Sequence, residues 1–435
     1  MITVYSDRQV KLRLSPTQRT DILALRELLG NQNVILQADD TISIRNYVGF
    51  IARGKTRLQI LPKIFADQST PDSEIEKTES VNLLLRLLSY SGFISNKEIP
   101  DPQSIEACNN DLFEIFVNIF ISQFLRLFRR DVHRCYESCE ENQQFIKGKI
   151  LFHRSILHNS LQKHKHYVHY DEFTSNTLLN RIFKTVIILL LSQTIISENK
   201  KNLRLALCYL EEVETIGLYK GIFSMIRFNR LNDAYRPLFT MARLFYHNRQ
   251  PGFSDGDEYT FTFLVPLNKL FEYFVYKLIL NFAWDKEVTV NHESPQKNLA
   301  NCDGSGYFPL KPDITVYHGV NALYILDAKF KNPLGTSGGM DLTATDVYQI
   351  VTYSVCYKCD DVFLVYPYFR GNSRRETELA QYQIPTLSGN IKLKILQVDI
   401  LESDIVLLQS QLVRDILSRG ECRAVETPAH QSALL

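Results

Sequence analysis

The sequence lacks the marks of a membrane, secreted or nucleotide-binding protein. Its opening residues, MITVY, contain no basic region followed by an apolar one, so we expect no signal peptide. The longest apolar run, residues 186–191, is shorter than the roughly 20 residues that cross a bilayer and indicates a buried helix. The glycine-rich residues 335–340 (GTSGGM) lack the lysine of a phosphate-binding GxxxxGK[ST] loop. We therefore expect a chain that neither spans a membrane nor binds a nucleotide by itself.

An excess of charge and a cysteine framework are missing as well. The net charge is only +1, so long-range attraction alone would not bring nucleic acid to the chain. Eight cysteines are scattered without regular spacing, which is typical of reduced thiols and predicts a cytoplasmic protein. Cys356 and Cys359 have CxxC spacing, but no second pair completes four tetrahedral ligands, so packing is favoured over zinc binding.

The sequence does contain enough apolar residues for several domains. With 435 residues, 45% of them hydrophobic, the chain is expected to form two to three domains. Residues 1–75 alternate apolar and polar side chains and predict a β-rich domain. The polar residues 66–80 predict a linker or an exposed loop. Residues 81–250 are predicted to be mostly helical, and residues 260–420 to form a third domain with helices and strands.

Apolar spacing in the middle region predicts individual helices. Three- and four-residue spacing indicates helices over 81–88, 111–136, 176–197 and 231–246. The second helix would carry His133, Cys135 and Cys139, and residues 145–157 would form a strand pair or an extended arm. A phenylalanine stripe in that second helix favours core packing over base stacking. It consists of Phe113, Phe116, Phe120 and Phe124.

Two strand-like runs near the three-quarter point carry the most specific chemistry. Asp313 belongs to the first, KPDITV, and Asp327 and Lys329 to the second, ILDAK. Because side chains alternate along a strand, Asp327 and Lys329 point to the same face. Neighbouring strands lie about 4.8 Å apart, so the three side chains can converge on one divalent cation and one water. The alternative is a buried pair that only neutralises itself, or exposed charges on edge strands.

Phosphodiester hydrolysis is the chemistry that needs such a set. Two carboxylates can hold Mg²⁺, which prefers oxygen ligands, polarises the phosphoryl oxygen and acidifies a bound water. The lysine would orient that water or stabilise the charge that develops on phosphorus. A D…DxK pattern alone is a weak motif, so the surrounding elements have to support it.

The elements predicted around these residues form a regular order. A helix over 265–284 contains Glu272, and a helix over 342–357 contains Gln349 and Tyr353, four residues apart on one face. The predicted strands are 287–290, 312–317 and 322–330 between the helices, then 361–368 and 391–400.

This order resembles the PD-(D/E)xK nuclease superfamily. The resemblance implies an active centre of Asp313, Asp327 and Lys329, with Gln349 on the following helix and Glu272 on the leading helix. Asp313 and Asp327, with the main-chain carbonyl of Ala328, would hold Mg²⁺, or Mn²⁺ in its place. Lys329 would position the attacking water, and Gln349 would hold that water or the scissile phosphate. Glu272 would supply an outer-shell or second-metal carboxylate.

A wider resemblance covers almost the whole chain. Several stretches, in order, are similar to those of the McrC family, the nuclease subunit of modified-cytosine restriction systems. It implies a multi-domain α+β or α/β fold: an N-terminal β-rich domain, a helical middle region and a C-terminal PD-(D/E)xK restriction-endonuclease-like core. The stretches are residues 44–51 (IRNYVGFI), 58–64 (LQILPKI), 147–150 (KGKI), 170–173 (YDEF) with Asn176 and Asn180, and 268–275 (NKLFEYFV).

The same resemblance implies partners. The chain would be a Mg²⁺-dependent endodeoxyribonuclease, activated by a hexameric AAA+ GTPase of the McrB type whose GTP hydrolysis it stimulates. Its N-terminal domain would dock on this motor, and cutting both strands of double-stranded DNA suggests that two complexes pair on the DNA. The basic candidates for the docking surface are Arg45, Arg53, Lys55, Arg57 and Lys63.

Two other interpretations stay open at this point. The chain would be a catalytically inactive adaptor that stimulates a GTPase, or a stand-alone nuclease without a motor. A neighbouring gene for a P-loop AAA+ protein would favour the two-component system. The modified base and the recognition sequence belong to the partner and are not encoded in this chain.

Overall fold

The computed structural model describes residues 1–53, 56–66, 73–94, 99–219, 221–247, 249–251, 259–282, 287–294, 297–335, 339–387 and 389–417. It is a mixed α/β structure with several sheets, as predicted. The chain divides into two compact units. Unit 1 comprises Met1–Ile2, Phe50–Gln59 and Pro100–Phe263, and unit 2 comprises Thr3–Gly49, Ile60–Ile99 and Leu264–Leu435. The expected division at 1–75, 81–250 and 260–420 stays a prediction.

The helices and strands are numbered in chain order. The helices are α1 (Pro16–Leu29), α2 (Ser73–Tyr90), α3 (Pro102–Ala107), α4 (Leu112–Phe128), α5 (Phe152–Asn159), α6 (Leu178–Gln193), α7 (Ser197–Tyr209), α8 (Arg236–His247), α9 (Leu267–Leu280), α10 (Ala344–Tyr357) and α11 (Ile405–Leu417), with 3₁₀ turns at Ile222–Met225 and Asp233–Tyr235. The strands are β1 (Ile2–Tyr5), β2 (Gln9–Lys11), β3 (Val34–Leu36), β4 (Thr41–Ile44), β5 (Tyr47–Arg53), β6 (Thr56–Leu61), β7 (Cys135–Gln143), β8 (Lys149–Ile150), β9 (His166–Thr174), β10 (Arg249–Pro251), β11 (Tyr259–Pro266), β12 (Val288–His292), β13 (Lys297–Cys302), β14 (Ser305–Leu310), β15 (Ile314–His318), β16 (Asn321–Ala328), β17 (Asp361–Pro367), β18 (Glu378–Thr386) and β19 (Gly389–Val398).

Unit 1 is built around α4. This helix begins where the Asp111 carboxylate accepts hydrogen bonds from the N–H groups of Phe113 and Glu114, which would otherwise lack partners. The phenylalanine stripe of α4 is fully buried, so the prediction of core packing is confirmed. The apolar run at 186–191 lies on α6, whose inward face is also buried. In the described part of the chain, no helix has the length and apolarity needed to cross a bilayer.

A buried charge network contradicts one candidate for the partner surface. The Arg57 guanidinium is buried and lies 2.8 Å from both the Asp111 and the Glu114 carboxylates. Glu114 also accepts hydrogen bonds from the Ile195 N–H and from the Asn199 side chain. Buried charges lose their hydration, and this cost is offset only where they are paired and hydrogen-bonded in this way. Arg57 is therefore a structural residue and is not available to a partner. Arg45 is exposed, Lys63 is buried, and the Arg53 side chain and Lys55 lie outside the described residues.

Three predictions about individual elements are wrong. The helix expected over 111–136 ends at Phe128, and Cys135 and Cys139 lie in strand β7, which pairs along its length with β9. Residues 145–157 form the short strand β8 and the start of helix α5 rather than a strand pair or an extended arm. Residues 73–80, expected in a linker, belong to helix α2, and residues 67–72 lie outside the described residues.

Unit 2 contains the sheet that carries the candidate site. The six-stranded sheet has the order β12-β15-β16-β17-β19-β18. The pairs β12–β15, β15–β16 and β19–β18 are antiparallel, whereas the pairs β16–β17 and β17–β19 are parallel. A parallel pair needs a crossover connection, and α10 supplies it between β16 and β17. Unit 2 also contains a three-stranded sheet of order β2-β4-β3.

Helices cover the two faces of this sheet. Ile350 and Tyr353 of α10 share a buried cluster with Ile325, Val362 and other strand residues on one face. On the other face α9 contacts β16, and α11 contacts both α9 and β19. Burial on both faces explains why β16 and β17 read as continuous apolar runs in the sequence. By strand alternation, Asp327 points to the same face as Ile325, the face that α10 covers.

Along the chain, a two-stranded hairpin of β13 and β14 lies between β12 and β15, which are neighbours in the sheet. Neither this hairpin nor β18 was predicted from the sequence. Its turn residues Asp303 and Gly304 both have positive φ angles, 49° and 78°, which is the backbone of a type I′ turn. An Asp-Gly dipeptide is a strong sequence signal for such a turn, so the hairpin could have been found.

Candidate functional site: a buried carboxylate and lysine cluster

Two strands bring the predicted carboxylates together. Ile314 pairs with Leu326 in the antiparallel register of β15 and β16, so Asp313 and Asp327 occupy the next opposed positions. Both side chains are buried, Asp327 completely. Asp313 Oδ2 accepts a hydrogen bond of 2.8 Å from the Ala328 N–H, which fixes this carboxylate against the end of β16. The structure therefore places both carboxylates at one end of the strand pair.

Lys329 completes the cluster. Its main-chain N–H donates to the Val365 carbonyl at 2.9 Å, so the residue just after β16 is still held by β17. Its ammonium lies 2.8 Å from Asp327 Oδ2, and about a fifth of the side chain remains exposed. The three residues predicted from the D…DxK pattern are thus neighbours, with the lysine on the accessible side.

The electrostatics of the cluster favour an added cation. Burial, then the charges of Asp327 and Glu272, raise the pKa of Asp313 to about 8. Burial also raises the pKa of Asp327. Burial opposes the charge of Lys329, but the neighbouring carboxylates outweigh it and raise the lysine pKa. The raised pKa values of the two aspartates mean that their negative charges are incompletely compensated in this poorly solvated site, so a bound cation would favour their ionised forms.

Glu272 contributes to the field of this cluster from α9. Its side chain is buried, and burial raises the pKa of its carboxyl group. The Lys269 ammonium donates to Glu272 at 2.7 Å and to Glu293 at 2.5 Å. The charge of Glu272 acts on Asp313, but its carboxylate is engaged by Lys269. The lysine bridge itself was missed in the sequence because Glu293 is distant along the chain.

Gln349 is linked to the cluster of Asp313, Asp327 and Lys329 indirectly. Its side-chain amide donates to Tyr353 Oη at 2.9 Å, which confirms the expected i, i+4 proximity on α10. Tyr353 Oη in turn donates to the Lys311 carbonyl at 3.1 Å. Within the ranges that the structure describes, Gln349 makes no hydrogen bond to the two aspartates or to Lys329. Its link to the cluster runs through Tyr353 and the chain segment before Asp313.

The oxygen atoms of the cluster suit a metal site that is open to water and substrate. Oδ1 of Asp327 is buried and has no hydrogen-bond partner among the described residues, so it is an acceptor without a donor. No group of three His, Cys, Asp or Glu side chains in the described residues could hold a metal ion. Mg²⁺ is commonly held by one or two carboxylates, with water and phosphate oxygens completing its shell. The two neighbouring aspartates match this number of carboxylate ligands.

A cavity of about 580 Å³ opens beside Lys329. Lys331 and Asp346 also line it, and neither was predicted from the sequence. They form an ion pair, and the Lys331 ammonium also donates to the Thr343 hydroxyl at 3.0 Å. Strand alternation after Lys329, and the position of Asp346 one turn before Gln349, are the signals that could have indicated them. Residues from distant parts of unit 2, such as Asn46, Lys63 and Asn268, complete the wall.

The chain is similar to known proteins in sequence and in fold. A family model described as McrBC 5-methylcytosine restriction system component matches residues 42–367. None of the curated proteins compared matches the chain. The chain is similar in structure to one from a refined half-complex of the tetradecameric assembly of Thermococcus gammatolerans McrB AAA+ hexamers with bound McrC. The identity is 21%, the TM-score is 0.76, and the match covers 95% of this chain and 99% of that one.

A second solved structure is also similar. It is the cryo-EM structure of the Thermococcus gammatolerans McrBC complex, with 23% identity and a TM-score of 0.50, covering 64% of this chain and 87% of that one. At these identities the two structures show a shared fold. The family model spans most of the chain and confirms the membership predicted from the sequence. The chain belongs to the family of McrBC 5-methylcytosine restriction system components.

Proposed function

We propose that this chain is the Mg²⁺-dependent endodeoxyribonuclease subunit of a GTP-dependent, modification-dependent restriction system. The proposal includes a PD-(D/E)xK core at the six-stranded sheet of unit 2. The observation that carries it is the convergence of Asp313, Asp327 and Lys329 at one end of β15 and β16, beside an accessible cavity. A pair that only neutralised itself would have no need of a second buried carboxylate or of an unpartnered Asp327 oxygen.

Each residue of the cluster has a role in this proposal. Asp313 and Asp327 would hold Mg²⁺ together with the Ala328 carbonyl, and the ion would supply Lewis acidity and charge neutralisation when bound. Lys329, partly exposed beside the cavity, orients the attacking water and stabilises negative charge on the phosphoryl oxygens. Gln349 keeps Tyr353 in place against the Lys311 carbonyl, two residues before Asp313. Glu272 adds negative charge from α9.

The partner is proposed from family membership and structural similarity. The similar chain comes from an assembly of McrB AAA+ hexamers with bound McrC. We infer that this chain likewise binds a hexameric AAA+ GTPase, is activated by it and stimulates its GTP hydrolysis. The tetradecameric form of that assembly supports pairing of two complexes on DNA. Pairing would supply the two active centres that cutting both strands requires.

Two substitutions at the cluster test the nuclease proposal. Asp327→Asn removes one carboxylate charge at nearly constant volume, and Lys329→Ala removes the ammonium. Each is expected to reduce cleavage of modified plasmid DNA by at least about a hundredfold, the usual cost of losing a group that stabilises a transition state. Cleavage is measured with the AAA+ partner, GTP and Mg²⁺. EDTA is expected to abolish cleavage, and Mn²⁺ to restore it.

Binding to the partner and stimulation of its GTP hydrolysis serve as controls, because the cluster is expected to take no part in either. Lys392→Ala, at a half-buried lysine on β19 of the same sheet that lies 3.9 Å from the Asp361 carboxylate, is the matched control for Lys329→Ala. Cleavage by Asp327→Asn at the wild-type rate would remove the nuclease proposal. Wild-type chain that stimulates GTP hydrolysis without cutting under any metal would identify the inactive adaptor instead.

A further inference from the structure

The hairpin of β13 and β14 is the least buried regular structure in unit 2. Every residue from 297 to 309 is exposed, including Leu299, Tyr307 and Phe308, the last with 70% of its surface accessible. Among the residues that the structure describes, the two strands pair only with each other, in a separate two-stranded sheet. A two-stranded hairpin is only marginally stable in water by itself, so exposed apolar side chains on one suggest a binding surface.

The base of this hairpin is firmly held. Leu310, its last residue, is buried, and the Tyr357 hydroxyl donates to the Leu310 carbonyl at 3.2 Å. The Tyr353 hydroxyl donates to the next carbonyl, that of Lys311, at 3.1 Å. Asp313 follows two residues later. The hairpin therefore projects from a fixed point directly beside the carboxylate and lysine cluster.

We propose that the β13–β14 hairpin is a DNA-binding ribbon that enters a groove of the duplex next to the cleavage site. The inference rests on the proposed nuclease function, because the hairpin ends at Leu310, three residues before Asp313, where the proposed cleavage takes place. Six-residue strands extend about 20 Å, and the major groove, about 12 Å wide, admits a two-stranded ribbon.

The side chains of the ribbon suit a duplex better than another protein chain. Asn298 and Asn301 carry amides, the groups that pair with adenine edges in the major groove. Lys297 and Lys311 lie at the base, where phosphates of the flanking backbone would be met. Asp303, at the turn, is the only carboxylate from residue 297 to 311. The amides and the basic base of the ribbon are complementary to a groove lined by phosphates, and Asp303 is the one side chain of residues 297–311 that opposes such binding.

A pair of charge substitutions at one position tests the ribbon directly. The full-length chain carries Asp327→Asn so that bound DNA stays intact, and its affinity for a fluorescent 30-base-pair duplex is measured by anisotropy with Mg²⁺. Asn301→Lys is expected to tighten binding and Asn301→Asp to weaken it, each by about three- to tenfold. The slope of log Kd against log salt should change by about 0.9 for each additional phosphate that the protein neutralises. Misfolding cannot explain opposite effects of two substitutions at one exposed position.

The far edge of the same sheet offers the matched control. Gln383 is exposed on β18, at the opposite end of the strand order from β12 and β15. Gln383→Lys and Gln383→Asp make the same charge changes on the same unit and are expected to alter affinity less than twofold. If the substitutions at Asn301 changed the affinity for the duplex no more than those at Gln383, the proposal would be overturned. So would the absence of duplex binding by the parent chain.

A native cysteine provides a second readout that needs no substitution. Cys302, next to the turn, and Cys208, on α7 of unit 1, are both exposed and unpaired with another cysteine. Saturating duplex is expected to slow alkylation of Cys302 by N-ethylmaleimide at least fivefold, and to leave Cys208 unchanged, as read by peptide mass spectrometry. An alkylation rate of Cys302 that the duplex leaves unchanged would overturn the proposal that the hairpin binds DNA. Protection that grows with protein concentration in the absence of DNA overturns it in favour of pairing with a second copy.

These assays report binding and not cleavage, so the two proposals fail separately. Suppose that the duplex protects Cys302 and that Asn301→Lys and Asn301→Asp change the affinity as expected, but the wild-type chain with its partner never cuts. Only the nuclease proposal is then lost. If cutting depends on Asp327 and Lys329 but the hairpin variants bind normally, only the ribbon is lost.

Discussion

Arg57 holds charged groups of unit 1 together, and its guanidinium also lies over the Phe113 ring. Its guanidinium forms ion pairs with the Asp111 and Glu114 carboxylates and donates a hydrogen bond to the Gln193 carbonyl. Arg57→Met would leave Glu114 buried without its cation, and we expect a loss of about 3–5 kcal/mol in the free energy of unfolding. Urea denaturation measures the loss. Arg45→Met, at an exposed arginine, is the control and should cost less than about 0.5 kcal/mol. If Arg57→Met lost as little free energy of unfolding as Arg45→Met, the network would contribute no stability.

His133 is expected to make the stability of the chain sensitive to mild acid. Burial lowers its pKa, with the Asp131 charge opposing; its ring faces the Thr177 hydroxyl and the Tyr235 ring. The unfolded chain, with a histidine pKa of about 6.5, then binds the proton more tightly than the folded chain. This contribution to stability is complete above that pH and is lost as pH falls through it, by at most about 1.4 kcal/mol per unit.

The corresponding measurement is urea denaturation at pH 7.5 and at pH 5.5. The stability difference between the two pH values should be smaller in His133→Gln than in the wild type, because glutamine does not titrate. His164→Gln, an exposed histidine, controls for general effects of the substitution. A His133→Gln chain with an unchanged pH response would contradict the assignment.

At the level of elements, α10 is expected to position the active centre through Tyr353. Tyr353→Phe removes the hydroxyl that bridges Gln349 and the Lys311 carbonyl. The loss should cost about 1–2 kcal/mol of stability, because a carbonyl loses its donor. Cleavage should fall about tenfold in kcat with little change in KM, since Asp313 is then less precisely held. Tyr348→Phe, an exposed tyrosine of the same helix, is the control. A KM effect alone would assign Tyr353 to substrate binding.

Elements with strong local patterns were predictable, and those fixed by distant partners were not. Strands β15, β16 and β17 and helices α9 and α10 follow the apolar periodicity of the sequence, and their bounds differ from the predicted ones by a few residues. Strand β7 was read as the end of a helix because its polar residues have little periodicity, and pairing with β9 determines its conformation. The start of α2 looked like a linker because the partner of its buried Glu76 is Arg8, far away in sequence.

The candidate site divides in the same way. Asp313, Asp327 and Lys329 were predictable because strand alternation and one antiparallel pairing bring them together. Lys331 and Asp346 were missed because their pairing depends on where α10 begins relative to β16. The Lys269 bridge between Glu272 and Glu293 depends on the packing of α9 against β12. Sequence patterns report neighbours along one element, and packing between elements supplied the rest.

At the scale of the whole assembly, cutting of both strands is expected to need two copies of the chain. In equal mixtures of wild type and Asp327→Asn with the AAA+ partner, random pairing leaves about a quarter of the pairs with two active centres and about half with one. Double-strand breaks should fall to about a quarter of the wild-type yield while nicked circles accumulate. Agarose gels of plasmid DNA measure both products. Breaks that fall only to half, without nicks, would mean that one chain cuts both strands.

The Asp303-Gly304 turn has a practical consequence for studying this protein. It is exposed, both its residues already have left-handed backbone angles, and the buried Leu310 anchors the hairpin well away from it. Exposed turns of this kind accept inserted peptides without disturbing the core. A small environment-sensitive fluorophore attached there would lie about 20 Å from the base of the hairpin and leave the carboxylates intact. The turn thus offers an attachment point for following substrate capture in real time on single molecules.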